Sequence, residues 1–354
     1  MRGRLDRSRL QPAFDAVARD VDAGMLPAAV LAVATADGVV RCEAFSGQDR
    51  VTADAAFMIA SITKPITATA VMQLLAEGRL VLHEPVRRHL PEFAPPPVAP
   101  EVPGGEAVSA WHVLTHTAGI PDVDERSLAQ ERPTAADLFA RCCTRQLRTR
   151  PGTRFEYASN SFYVLSELIA RLSGTPYPAY LRERVLVPLG MERTSFQPPD
   201  AAVRAPVRGL DLPQAVMPMA LGYLATLAMP GGGLWSTAED VTTFGRAMLG
   251  GGALGGVRIL ARPYVAMMTR EHTAGIPDVG DPPGAAHYGL GWSKPGSGGT
   301  APCGPEAFSH GGHTGSRLHV DPEAGIVVTV LANRWYASSR TSHAAIQAVY
   351  GALD

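Results

Sequence analysis

The chain has 354 residues, 46% of them apolar, and a formal charge of −1 at pH 7. That length supports a sizeable core in two lobes or in one domain with an insertion, and a balanced charge without like-charge runs excludes the electrostatic footprint of a nucleic-acid or membrane-surface protein. The expected partner is a small molecule, and four cysteines, of which Cys142 and Cys143 are adjacent, suit a reducing compartment better than a disulfide framework.

The opening "MRGRLDRSRLQPAFDAV" has arginines but no continuous apolar stretch, so no signal peptide is expected. No segment reaches membrane-spanning length, and the expected location is the cytoplasm. Leu10, Phe14, Val17, Ala18 and Val21 fall at helical spacing, predicting an amphipathic helix over residues 9–24. The stretch 28–45, "AAVLAVATADGVVRCEAF", reads as two strands around an Asp37-Gly38 turn. Residues 57–75, "FMIASITKPITATAVMQLL", form an apolar helical segment with Ser61 and Lys64 three residues apart. Residues 91–105 are too rich in proline for a regular element.

Further on, a helix is expected from about Asn160 to Gly174, and another over 234–249, where Ser236 and Glu239 are spaced as a capping box. The end of the chain mirrors its beginning. Residues 316–334 read as two strands joined by Pro322-Glu323-Ala324-Gly325, followed by a closing helix. The expected fold is thus of the α/β (α+β) class: an antiparallel sheet of N- and C-terminal strands flanked by helices. Residues 1–60 and 250–354 would form the sheet lobe and 61–249 an inserted, mainly helical lobe. The octapeptide HTAGIPDV occurs twice, at 116–123 and 272–279, with unrelated flanks.

Lysine is nearly absent, since Lys64 and Lys294 are the only two among 32 basic residues. On a helix start, Ser61 and Lys64 share a face, Pro65 falls where amides lack intrahelical partners, and free N–H groups can receive a developing oxyanion. Tyr157 precedes the helix that begins near Asn160. "FSHGGHTGS", residues 308–316, offers His310 and His313 beside paired glycines that permit close backbone approach.

Taken in order, "ASITKPITATAVMQLLAEGRLVLHEPVRRHLPEF", "WHVLTHTAGI", "PGTRFEYASNSFYVLSELIARLSG", "GGGLWSTAEDVTTFGRAML", "YGLGW" and "VDPEAGIVVTVLANR" resemble the serine beta-lactamase-like family over roughly residues 10–350. That family groups class C beta-lactamases, D-alanyl-D-alanine carboxypeptidases and esterases. The resemblance implies that Ser61 and Lys64 are its Ser-x-x-Lys pair and that Tyr157 heads its Tyr-x-Asn motif. His310, Gly311 and Gly312 then match its third motif, although His313-Thr314-Gly315 is a second register. It further implies an acyl-enzyme on Ser61, with the N–H groups of Ser61 and His313 as oxyanion donors. In this register Ser159 stands where the family has asparagine, while Asn160 comes one residue later. That departure argues against good beta-lactam turnover, and the expected lack of an export signal favours an intracellular esterase or amide hydrolase of broad acyl specificity over a beta-lactamase or carboxypeptidase.

Two other classes are weighed against this reading. His112 and His116 could form half a zinc site, with Cys303, His310, His313 and His319 further along, but no glutamate follows in the His-Glu-x-x-His manner; no metal or other cofactor is expected. An inactive binding protein on the same fold would leave the serine, lysine and tyrosine without a purpose. A Gly-x-Ser-x-Gly elbow is absent, which sets aside an α/β-hydrolase.

Overall fold

A computed structural model describes residues 5–210, 214–279, 284–295 and 301–354. Helix α1 (Gln11–Asp22) leads into strands β1 (Ala28–Thr35) and β2 (Val39–Ser46). The middle of the chain holds α2 (Thr63–Ala76), α3 (Phe162–Ser173) and α4 (Ala238–Leu249) among shorter helices and loops. Strands β3 (Phe308–Gly311), β4 (Arg317–Asp321) and β5 (Ile326–Ala332) and helix α5 (Arg340–Tyr350) close the chain.

Among the described residues these five strands form one antiparallel sheet in the order β2-β1-β5-β4-β3, so that β1 pairs with β5 and the two ends of the chain share the sheet. Strands β1 and β5 are buried except at Thr35, which accounts for apolar runs interrupted within the strands only at Thr329, where an exposed sheet face would demand alternation. On one face Leu31, Val328 and Val330 meet Phe14 and Val17 of α1 and Ile346 and Val349 of α5. On the other, Ala32, Leu318 and Val327 join the larger core that includes α2 and α4. Directly paired residues share a face, and the row His310–Leu318–Thr329–Ala32 runs across the sheet. His310 therefore stands on the face that carries α4, whose Thr242 hydroxyl donates to Thr329 Oγ1 at 2.8 Å.

Helix α2 is buried on every side, residues 63–74 all lying in the interior. An all-round apolar helix belongs in a core, and no described helix is long and apolar enough to cross a membrane. Most of its polar side-chain atoms find partners on packed segments: Thr67 Oγ1 donates to Pro230 O at 2.8 Å and Gln73 Nε2 to Ile259 O at 2.8 Å, while Gln73 Oε1 has no partner among the described residues. Two expectations shift by a residue or two. The regular helix starts at Thr63 rather than Ser61, with Ala60–Ile62 forming a 3-10 turn before it. Helix α4 is capped by Thr237, whose side chain accepts from Asp240 N, because Ser236 is already a strand residue bonded to Thr194. Helix α4 lies on the sheet, so its packing crosses the lobe division expected at residues 249/250.

Close seating of α4 depends on Gly245. A Cβ there would stand 2.6 Å from Val327 Cγ1 and 2.9 Å from Leu318 Cδ1. Gly245→Val is expected to lift the helix and cost about 1–3 kcal/mol, read as a lower urea midpoint with little change in the slope of the transition.

Candidate active site

Ser61 sits in the 3-10 turn that joins a two-residue strand (Phe57–Met58) to α2. The turn is sharp enough to force Ala60 to φ 45°, a left-handed conformation that an alanine adopts only at a cost of about 1–2 kcal/mol. Thr63 Oγ1 stabilises it by donating to Ala60 O at 2.7 Å. The sharp turn leaves Ser61 at the head of the helix, partly open to solvent while its neighbours are buried.

Lys64 is 0% exposed. Its Nζ donates to Gly231 O at 2.7 Å, Ser159 Oγ at 3.0 Å and Ser61 Oγ at 3.2 Å, which uses all three donors of an ammonium on neutral oxygens. Burial without an ion-pair partner among the described residues lowers its pKa from 10.5 to about 7, with Asp122 opposing the shift from a distance.

Tyr157 lies beside this pair. Lys64 Nζ stands 4.5 Å above the centre of its ring. The residue is 40% exposed, yet its hydroxyl end is enclosed near the Ser61 and Ser159 hydroxyls. Burial raises the phenol above its ordinary range, and the two serine hydroxyls only partly offset this. Ser159 faces Lys64, whereas the Asn160 side chain turns away, donating from Nδ2 to Asp122 Oδ1 at 2.6 Å and to Val123 O at 3.2 Å.

The edge strand β3 brings "HGG" against the turn that carries Ser61. A Cβ on Gly312 would come within 2.5 Å of Ile59 O, so only glycine allows this approach, and Thr314 Oγ1 donates to Met58 O at 3.2 Å. His310 is on the strand and His313 in the turn after it. His310 Nδ1 donates to its neighbour's carbonyl, Gly311 O, at 2.8 Å, which leaves Nε2 to accept from Tyr288 Oη at 2.8 Å. Both ring nitrogens are thus engaged by protein, and burial together with the nearby Lys64 charge takes the His310 pKa down to about 3. His313 is exposed, its ring 4.7 Å from that of Tyr336. The backbone N–H groups of Ser61 and His313 have no hydrogen-bond partner among the described residues.

Sequence reasoning missed Asp122, His116, Tyr288 and the Gly231 carbonyl. Two of them belong to the repeated octapeptide, which now has a physical account. Both copies brace the segment that carries Tyr157. From the first, His116 O and Nδ1 accept from Glu156 N and Ala158 N, and Asp122 accepts from Ser159 N and Asn160 N, each at 2.9 Å. From the second, Pro277 O accepts from Phe155 N and Phe155 O from Val279 N, while Thr273 Oγ1 accepts from Tyr288 N. The repetition itself was the signal available in the sequence.

The zinc half-site considered above does not assemble: His112 is held at Ser109, His116 at Ala158, and His319 Nε2 at the Tyr350 hydroxyl. A cleft of about 600 Å³ opens beside Tyr157, lined also by Arg148, Arg154, Phe155 and Asp278.

A serine, a buried lysine and a tyrosine are gathered beside the edge strand of the antiparallel sheet. The chain belongs to the Beta-lactamase family, whose model matches residues 14–352. It is 32% identical to Protein Rv1367c of Mycobacterium tuberculosis over 277 residues, covering 71% of this chain and 69% of the relative. It is 24% identical to a putative D-alanyl-D-alanine carboxypeptidase of Salmonella agona over 317 residues, 80% of this chain and 70% of that protein. Among solved structures, EstCE1, described as a hydrolase with promiscuous acyltransferase activity, superposes with a TM-score of 0.82 at 22% identity, covering 98% of this chain and 99% of that one.

Buried neutral histidines make stability depend on pH. His310 and His319 have pKa values lowered by burial to about 3 and about 4 from 6.5. Between those values the unfolded chain binds more protons than the folded one, so stability falls as pH drops through that window. The melting temperature is expected to be lower at pH 5 than at pH 7 in scanning calorimetry, and a flat profile would remove this account.

Proposed function

We propose that this protein is a serine hydrolase that forms an acyl-enzyme on Ser61 and acts on esters with broad acyl specificity. The observation that carries the proposal is the contact of Lys64 Nζ, fully buried, with Ser61 Oγ at 3.2 Å. A serine hydroxyl is a poor nucleophile until a neighbouring base takes its proton, and a lysine near neutrality is such a base.

An ammonium close to Tyr157 could in principle hold a phenolate, since opposite charges about 4 Å apart attract by about 4 kcal/mol at an effective dielectric of 20. Here Nζ lies over the ring face, and burial raises the phenol while lowering the amine. The singly protonated pair therefore favours a neutral amine beside a neutral phenol. The two act as a unit, with Lys64 accepting the Ser61 proton and Tyr157 passing one to the leaving group. Ser61 Oγ bonds to the substrate carbonyl carbon, the amides of Ser61 and His313 receive the oxyanion, the leaving group departs protonated, and water releases the acyl group. His310, with both nitrogens occupied, shapes the site beside Tyr157 rather than contacting substrate through its ring nitrogens.

Ester preference is supported by the Ser159–Asn160 pair. The Ser159 hydroxyl is committed to Lys64 and the Asn160 carboxamide to Asp122 and Val123, so this turn presents no side-chain amide for a substrate amide. The second reading, a beta-lactamase or carboxypeptidase, is favoured by the curated relative named for carboxypeptidase activity.

Ser61→Ala is expected to abolish turnover of p-nitrophenyl acetate and butyrate and to prevent labelling by a fluorophosphonate probe; undiminished activity in the pure variant would sink the nucleophile assignment. Wild-type turnover of these esters is expected to exceed that of a chromogenic cephalosporin, and the reverse order would support the second reading. With Lys64 at about 7, kcat/KM is expected to rise with pH along a limb centred near neutrality. Lys64→Arg, always charged, is expected to lose that limb and about 100- to 10,000-fold in rate.

A further inference from the structure

The geometry points to His116 as a positioning residue for Tyr157, gripping the backbone on both sides of the tyrosine and backing its ring; this rests on the serine-hydrolase reading above. Glu156 N–H donates to His116 O at 2.9 Å and Ala158 N–H to His116 Nδ1 at 3.2 Å, so the residues flanking Tyr157 are tied to a single side chain and its carbonyl. The imidazole lies 4.4 Å from the Tyr157 ring at 34° and 5.4 Å from the Phe162 ring at 29°. Among the described residues, only His116 holds both backbone neighbours of Tyr157 and packs on its ring.

Two costs accompany this arrangement. His116 holds φ 56°, in the left-handed region that a residue with a side chain rarely occupies. It is also 2% exposed, and because Nδ1 accepts, the neutral ring carries its proton on Nε2, which has no partner among the described residues. Such costs persist where the surroundings demand that one side chain. The demand here is threefold: an acceptor for Ala158, a flat ring for Tyr157 and tolerance of the left-handed backbone.

The second octapeptide provides an internal control. His272 occupies the equivalent position, but its Nδ1 accepts from Trp111 Nε1 at 3.1 Å and its Nε2 donates to Met267 O, so its ring holds a different segment. The same residue in the same octapeptide serves Tyr157 in one copy only.

The consequence for catalysis runs through placement of the Tyr157 hydroxyl relative to Ser61 and Lys64. The imidazole also backs the Tyr157 and Phe162 rings, over which the Lys64 amine stands at 4.5 and 5.4 Å; the charged or titratable groups facing that amine are Asp122, Tyr157, His116 and His310. Removing the imidazole admits water, relieves the burial that depresses Lys64 and moves its titration upward.

The test compares His116→Ala, His116→Phe and His116→Asn with wild type and with His272→Ala on a p-nitrophenyl ester, measuring kcat, KM, the pH dependence of kcat/KM, melting temperature and fluorophosphonate labelling. Alanine and phenylalanine are expected to lower kcat about 100-fold, the cost of a misplacement of order 1 Å, with little change in KM. The rising pH limb is expected to move up in the alanine variant. Asparagine is expected to restore most of kcat, because its Oδ1 can accept from Ala158 and it tolerates left-handed backbone. His272→Ala is expected to keep wild-type kcat and pH dependence.

Wild-type kcat and pH limb in the alanine and phenylalanine variants would overturn the inference, as would losses that track melting temperature alone with the limb unmoved. If the alanine variant does not fold, the comparison of asparagine with phenylalanine decides, and asparagine no better than phenylalanine overturns it. Failure of wild type to label at Ser61 overturns the hydrolase reading and this inference together; labelling with inert His116 variants overturns this inference alone.

Discussion

Lys64 carries its amine into the interior with no exposure to solvent, and three neutral oxygens, from Ser61, Ser159 and Gly231, stand in for its hydration shell. Neutral acceptors satisfy its hydrogen bonds but do not balance a charge, so the proton is held loosely and the pKa falls to about 7. A carboxylate in direct contact would have raised it instead. Asp122, whose charge reaches the amine, is spent on the amides of Ser159 and Asn160, which fixes one of the amine's acceptors. The rest of the site is arranged to preserve that imbalance.

Three parts of the fold meet at this point, each for a local reason. Helix α2 can be buried all round because Thr67 and Gln73 donate to backbone carbonyls of neighbouring segments and Thr69 to the carbonyl of Pro65 one turn back. The strained turn at Ala60 lifts Ser61 out of that buried helix. The edge strand can approach because Gly312 offers no Cβ against Ile59 O. Opposite, the Tyr157 segment has little regular structure of its own and is held by two copies of one octapeptide, each with a glycine in left-handed geometry, Gly119 and Gly275. A side chain in an irregular segment needs such external bracing to hold one position, because no helix or sheet ladder fixes it.

Much of the fold was legible from pattern. The apolar runs at both ends, the turn chemistry at Asp37-Gly38 and Pro322–Gly325, and the Gly174 stop, which caps α3 at φ 75°, all correspond to observed elements. The capping residue of α4 was not legible, since Ser236 and Thr237 are both competent caps and only strand pairing removes Ser236. In the site, Ser61, Lys64 and Tyr157 stood out by motif, whereas Asp122, His116 and Tyr288 act through contacts with residues far along the chain, and only the repetition of their octapeptide marked the first two.

By itself, then, the sequence determined which side chains are available and which elements carry them: a serine and a rare lysine on one helix face, a tyrosine before another helix, and a glycine pair before the last hairpin. Periodicity and turn chemistry act over a few residues, so they are written locally. Tertiary structure alone decided the protonation of the amine, the tautomer of His310, the separate fates of Ser159 and Asn160, and the use of one octapeptide twice. Each of these depends on burial and on partners tens to hundreds of residues distant, quantities that exist only once the chain has closed on itself.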